Sequence, residues 1–219
     1  EEFTKFVTST PQKSGYGNAT GIIKSPISRP YWSQTDMNGN LFFNEQTSNQ
    51  IAVYDIKNAY LVEYMIPSKN PNWGDCDKQS NSDCGVAQIF GFDATDNQIW
   101  FTEWAENKIG VIDTKKPLPF SVSTDKEFLT LKKGETQTVV LNVDSSPNAG
   151  EINFNSAHTA STATASSDIQ ILHTMNNSNE ILVTVTANPI ALAGDYKLLL
   201  GVYNSEVNVS KYIDIIIEP

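Results

Sequence analysis

The chain has 219 residues, 39% of them apolar, with 15 Lys and Arg against 25 Asp and Glu and a net charge of −10. That length and composition support one or two packed domains. The acidity, without a Lys/Arg cluster, excludes a phosphate-tracking groove and gives anionic lipid nothing to hold. Nucleic acid is therefore not an expected partner. No apolar run approaches the roughly 18 residues of a membrane span. The nearest, Ile213–Ile217, is interrupted by Asp214, so no transmembrane segment is expected.

In chain order, the start Glu1-Glu2-Phe3-Thr4 has neither the basic region nor the apolar stretch of a signal peptide. It reads as the interior of a longer polypeptide. Asp36-Met37-Asn38-Gly39-Asn40 has a calcium-loop flavour, but Gly stands fourth rather than sixth. A hairpin turn is the expectation. An internal repeat follows. Aligning Glu45 with Glu103 also pairs Leu41 with Ile99, Phe42 with Trp100, Phe43 with Phe101, Asn49 with Asn107, Ile51 with Ile109, Val53 with Val111 and Asp55 with Asp113. Each copy reads as turn, strand, turn, strand: Asn-Gly or Asp-Asn tolerates a left-handed backbone. β-branched and aromatic residues then suit a pleated strand. The repeat is longer than the roughly 40–45 residues of a four-stranded blade, and the excess falls in Pro67–Gly85, an expected insertion.

That insertion holds Cys76 and Cys84, the only cysteines. A disulfide is the leading expectation, with free thiols and a metal site as alternatives. The metal reading suffers because a tetrahedral site needs four ligands and no His is near. A disulfide implies an oxidising compartment. Trp73, in the same insertion, is a candidate contact aromatic. Trp32, Trp100 and Trp104 fall at repeat positions and are expected in the blade core or in packing between blades.

The repeat, as Gly39–Glu45 with Asn49–Asp55 and Glu63-Tyr64-Met65-Ile66-Pro67, and again as Gln98–Glu103 with Asn107–Asp113, resembles the blade repeat of the streptogramin (virginiamycin B) lyase family. The resemblance covers about the first 115 residues and concerns the structural repeat rather than the active site. It implies the C-terminal blades of a β-propeller, with Glu2–Phe6 as the outer strand of a preceding blade. The remaining blades would be partners, upstream in the same polypeptide or on another chain. The family's lactone elimination uses histidines, a glutamate and magnesium. Here both histidines, His158 and His173, lie beyond the repeats. Glu45 and Glu103 share one repeat position and are expected to be structural turn acceptors.

Lys115-Lys116-Pro117-Leu118-Pro119 reads as a linker. Beyond it, seven strands are expected: Phe128–Leu131, Thr136–Val143, Glu151–Phe154, Ile169–His173, Glu180–Ala187, Asp195–Val202 and Val207–Ile217. Their period-2 alternation within about 100 residues suggests an immunoglobulin-like sandwich. Leu192–Tyr196 resembles the turn that carries a tyrosine corner. Ser156–Ser167 is expected as a surface loop or short edge strand. This half looks like the Ig-like modules of bacterial and archaeal surface proteins.

The expected fold is thus all-β, a partial β-propeller over residues 1–116 and an Ig-like β-sandwich over 117–219. Sequons at Asn18, Asn176 and Asn208 are candidate N-glycosylation sites. With the cysteine pair they point to an extracellular or cell-surface glycoprotein. No catalytic, cofactor or metal residue is assigned. The leading function is non-catalytic binding or structural support, with surface proteins or glycans as partners. The alternatives are a lyase-like enzyme whose site lies on upstream blades, and a surface-layer or filament subunit.

Overall fold

A computed structural model describes residues 3–11, 28–76, 84–95, 97–160, 168–177 and 179–219, with only the backbone of Asn177. The described residues are all-β apart from one 3-10 turn at Pro71–Trp73. They form two compact units: Thr10–Leu118 with Ser205–Asn208, and Pro119–Asn204 with Glu1–Ser9 and Val209–Pro219.

In the first unit, β1 (Pro30–Thr35), β2 (Leu41–Glu45), β3 (Gln50–Asp55) and β4 (Tyr60–Met65) make an antiparallel meander in chain order. β5 (Ile89–Ala94), β6 (Gln98–Glu103) and β7 (Lys108–Asp113) make a second. The repeated residues explain why both copies fold alike. Asn49 and Asn107 close their β-turns in the left-handed region, at φ 59° and 54°, which Asn tolerates well. The repeated Asp opens the following turn: Asp55 Oδ1 accepts from the Lys57 and Asn58 backbone N–H groups at 3.0 and 3.2 Å, and Asp113 Oδ1 from Lys115 N–H at 3.0 Å. Bulges interrupt β1–β2 pairing between Pro30 and Ser33, and β5–β6 pairing between Ile89 and Phe92. The Asp36 segment is the β1–β2 turn. Its carboxylate accepts from the Asn38 and Asn40 N–H groups at 2.9 and 2.8 Å, with Gly39 at φ 86°.

The two meanders pack face to face. Phe42, Ile51 and Ile66 bury against Ala87, Ile89, Phe92, Ile99 and Phe101. Polar bonds tie the same face: Asn44 Nδ2 donates to the Ile89 carbonyl at 2.6 Å, Gln34 Nε2 to the Phe92 carbonyl at 3.2 Å, and Ala87 N–H to Asn49 Oδ1 at 2.8 Å.

In the second unit, β8 (Phe120–Thr124), β10 (Thr136–Ser145), β13 (Glu180–Ala187) and β12 (Ile169–Asn177) form one antiparallel sheet in the order β12-β13-β10-β8. β11 (Asn153–His158), β14 (Gly194–Tyr203) and β15 (Val207–Glu218) form the other, with β9 (Phe128–Lys132) parallel to β15. β10 packs on β9 and β14. The alternating residues Val139, Leu141, Val143, Val183, Val185, Leu198, Leu200, Val202, Ile213, Ile215 and Ile217 are all buried. Tyr196 Oη donates to the Leu192 carbonyl at 2.8 Å.

Two expectations need correction here, and a third is met in part. Phe120–Thr124, outside the seven expected strands, pairs with β10 because Phe120 and Val122 alternate into the core directly after Pro119. Phe3–Phe6 was expected as a strand and has no regular structure. The Phe6 ring instead stands edge-on to Tyr212 at 5.3 Å, and Tyr212 Oη donates to the Val7 carbonyl at 2.5 Å. Ser156–His158 belongs to the edge strand β11, while residues 161–167 lie outside the described residues. Among the described residues no helix is long and apolar enough to cross a membrane.

Candidate functional site: an exposed aromatic row

Strand periodicity decides which aromatic residues meet solvent. Along β6, Ile99, Phe101 and Glu103 turn inward, so Trp100 and Thr102 turn outward, and Trp104 starts the turn beyond. The reading of Trp32, Trp100 and Trp104 as core residues of their own blades is therefore corrected: they are 49%, 47% and 58% exposed. The core positions beside them belong to Ile99 and Phe101.

Four rings form a row. Tyr31 meets Phe90 at 6.4 Å, Phe90 meets Trp104 at 5.3 Å, and Trp104 meets Trp73 at 4.8 Å, each near-perpendicular. Tyr31 and Phe90 occupy the same place in the two bulges, one residue beyond Pro30 and Ile89. The bulge turns both rings out of the alternation. Neither was singled out from the sequence; their shared aromatic character directly after matched positions was the available signal. Edge-to-face pairs contribute about 0.5–1.5 kcal/mol each beyond their burial, so the row is self-supporting although all four rings are exposed.

The insertion is held where Trp73 can join the row. Asn70 Oδ1 accepts from Asn72 N–H at 3.0 Å, Pro71 opens the 3-10 turn, and Trp73 N–H donates to the Asn70 carbonyl at 2.9 Å. Asn70 Nδ2 reaches the Ala105 carbonyl at 3.0 Å, next to Trp104. Val86 N–H donates to the Trp73 carbonyl at 3.2 Å. Cys76 and Cys84 are bonded, with Cα atoms 5.7 Å apart, which removes the free-thiol and metal readings. Gly85 sits at φ 114°, and a Cβ there would overlap the Asn70 carbonyl.

The candidate chemical residues are not brought together. Glu45 and Glu103 are buried at the ends of β2 and β6. Glu103 Oε2 has no hydrogen-bond partner among the described residues. His158 Nδ1 lies 2.9 Å from the Thr159 carbonyl, and His173 stacks on Phe154 at 4.3 Å, both in the second unit. Among the described residues no cluster of three or more His, Cys, Asp or Glu is placed to hold a metal.

The candidate glycosylation sites differ sharply. Asn208 is buried, and its Nδ2 donates to Glu63 Oε2 at 2.8 Å, so the folded chain presents no acceptor there; this sequon is a correction. Asn176 is exposed and donates to Glu180 Oε1 at 2.8 Å, although Ser178 of its sequon lies outside the described residues. Asn18 also lies outside them. No protein-family model matches the chain, and no curated protein matches it.

Proposed function

We propose that this chain is an extracellular, non-catalytic binding or structural protein whose contact surface is the aromatic row Tyr31–Phe90–Trp104–Trp73. The row itself carries the proposal: four exposed rings held in fixed mutual geometry, one of them on a disulfide-closed insertion. Such rings anchor ligands at low entropic cost because only two torsions per side chain need ordering. Their faces suit the C–H faces of sugars or the apolar side chains of a partner protein. The disulfide supports an oxidising, extracellular setting.

Three features support the architectural reading. The paired antiparallel meanders with matched turns suit successive blades of a streptogramin-lyase-like propeller. The order β12-β13-β10-β8 opposite β11-β14-β15 suits the ABED and CFG sheets of an immunoglobulin-like domain, as does the Tyr196–Leu192 bond.

The test is titration of the intact chain with neutral oligosaccharides, followed by tryptophan fluorescence. Saturable quenching is expected, weakened roughly tenfold or more by Trp73→Ala and by Trp104→Ala, while the melting temperature falls only by the few degrees that the lost ring pairs account for. A panel that leaves the fluorescence flat would end the glycan form of the proposal.

A further inference from the structure

A cleft of about 640 Å³ opens in the second unit, inside the roughly 300–1,000 Å³ of small-ligand sites. Its floor is the outer face of the β14–β15 pair. Tyr196, Leu198, Ile213 and Ile215 alternate into the sandwich core, so Lys197, Asp214 and Ile216 turn outward. The N-terminal segment makes the facing wall. Phe3, Thr4 and Lys5 line the cleft, and the Phe6–Tyr212 ring contact holds the segment down. A sheet face that would otherwise be flat is thereby walled on one side.

The charges of this cleft cancel. Lys5 and Lys197 stand against Asp195 and Asp214, so a charged ligand gains no net attraction. Lys197 Nζ donates to Asp214 Oδ1 and lies 5.3 Å from the centre of the Phe6 ring, two contacts that fix the ammonium. An ammonium has three donors and a carboxylate accepts at both oxygens, and the Asp214 side chain is 56% exposed. The pair therefore presents a donor and an acceptor side by side. Thr159 Oγ1 accepts from Lys197 N–H at 2.9 Å, which leaves its hydroxyl proton as a further donor. Beside these groups Leu192 and Ile216 are 56% and 44% exposed, and the Phe3 ring 83%.

We infer that this cleft binds a neutral pyranoside with two adjacent free hydroxyls. Each hydroxyl both donates and accepts, so an adjacent pair matches the Lys197–Asp214 pair, while the C–H face of the sugar ring matches Leu192, Ile216 and Phe3. An extended peptide is disfavoured, because strand addition needs a free sheet edge. β14 lies between β11 and β15, and β15 between β14 and β9, so the cleft offers side chains and no edge. The site is separate from the aromatic row. It lies in the other unit, which holds none of the four tryptophans, and it stands whether or not the row binds anything.

The experiment titrates the intact chain, carrying Trp73→Ala and Trp104→Ala to silence the row, with the methyl pyranosides of glucose, mannose and galactose. Backbone amide signals are followed by NMR. Saturable shifts are expected at Gly194, Lys197 and Ile216 with at least one of the three. Lys197→Met and Asp214→Asn should each weaken that binding roughly tenfold, the effect of one lost charged hydrogen bond. Removing so exposed an ion pair leaves the melting temperature almost unchanged. The deoxy form of the same sugar, lacking one of the adjacent hydroxyls, should lose as much against the unsubstituted cleft. Silence at the cleft with all three sugars, binding indifferent to both substitutions, or equal binding of N-acetylalanine methylamide would each overturn the inference. The oligosaccharide titration reads tryptophans, which the cleft lacks, so the two ideas fail separately.

Discussion

At the scale of single residues, the repeated side chains work for the backbone. Asp36 shows how. Partial burial, the largest single influence, pushes its carboxyl up, but the bonds from Asn40 and Asn38 together outweigh it and hold the group below its ordinary value. A carboxyl depressed on folding contributes stability above its unfolded pKa and loses it as the pH falls through the folded one. Asp36→Ala should therefore cost about 1 kcal/mol near neutral pH, and the difference between variant and parent should vanish in strong acid. Thermal melts of both proteins across the acid range measure this. A calcium ligand would behave otherwise, since added calcium would then raise the parent's melting point. These turn residues were legible in the sequence because Asn, Asp and Gly report their own backbone geometry. The Trp32, Trp100 and Trp104 rings were not, because apolarity alone does not say which side of a strand has a neighbour.

At the scale of elements, strand periodicity carried most of the second unit and failed at its start. β8 escaped notice because the prolines before it read as the end of structure, whereas a proline immediately before a strand removes no ladder bond. In the first unit the insertion is the element least inferable from pattern. Its fold depends on Asn70, Gly85 and the Cys76–Cys84 bond rather than on alternation. With a sequence separation of 8, chain-entropy arguments give that bond at most about 2.5 kcal/mol. Cys76→Ser with Cys84→Ser should lower the stability of the first unit by no more than that. Hydrogen exchange should show faster opening around Trp73 while β2 and β3 stay protected; equal loosening of β2 and β3 would mean that the insertion supports the core itself.

At the scale of the whole chain, the all-β character and the paired meanders followed from repeat and alternation. The grouping of the N-terminal segment did not, because Glu1–Ser9 groups with residues more than a hundred positions away. Tyr212 is one of its anchors, buried beneath Phe6 and bonded to the Val7 carbonyl. No local pattern announces such a pairing. Tyr212→Phe should cost the second unit about 1 kcal/mol, one neutral hydrogen bond, and should increase proteolytic cleavage within residues 3–9. Denaturant melts read the first effect, and limited digestion with mass spectrometry the second.

The Tyr212–Val7 bond joins positions 205 residues apart, and this separation sets a clock. At roughly 5–20 residues per second of synthesis, Val7 leaves the ribosome about 10–40 s before its partner exists. Both meanders of the first unit are complete in sequence during that wait, while the N-terminal segment must stay unengaged. Ordering of residues 3–9 should thus be among the last folding events, and a nascent chain stalled before Tyr212 should hold them in a protease-sensitive state.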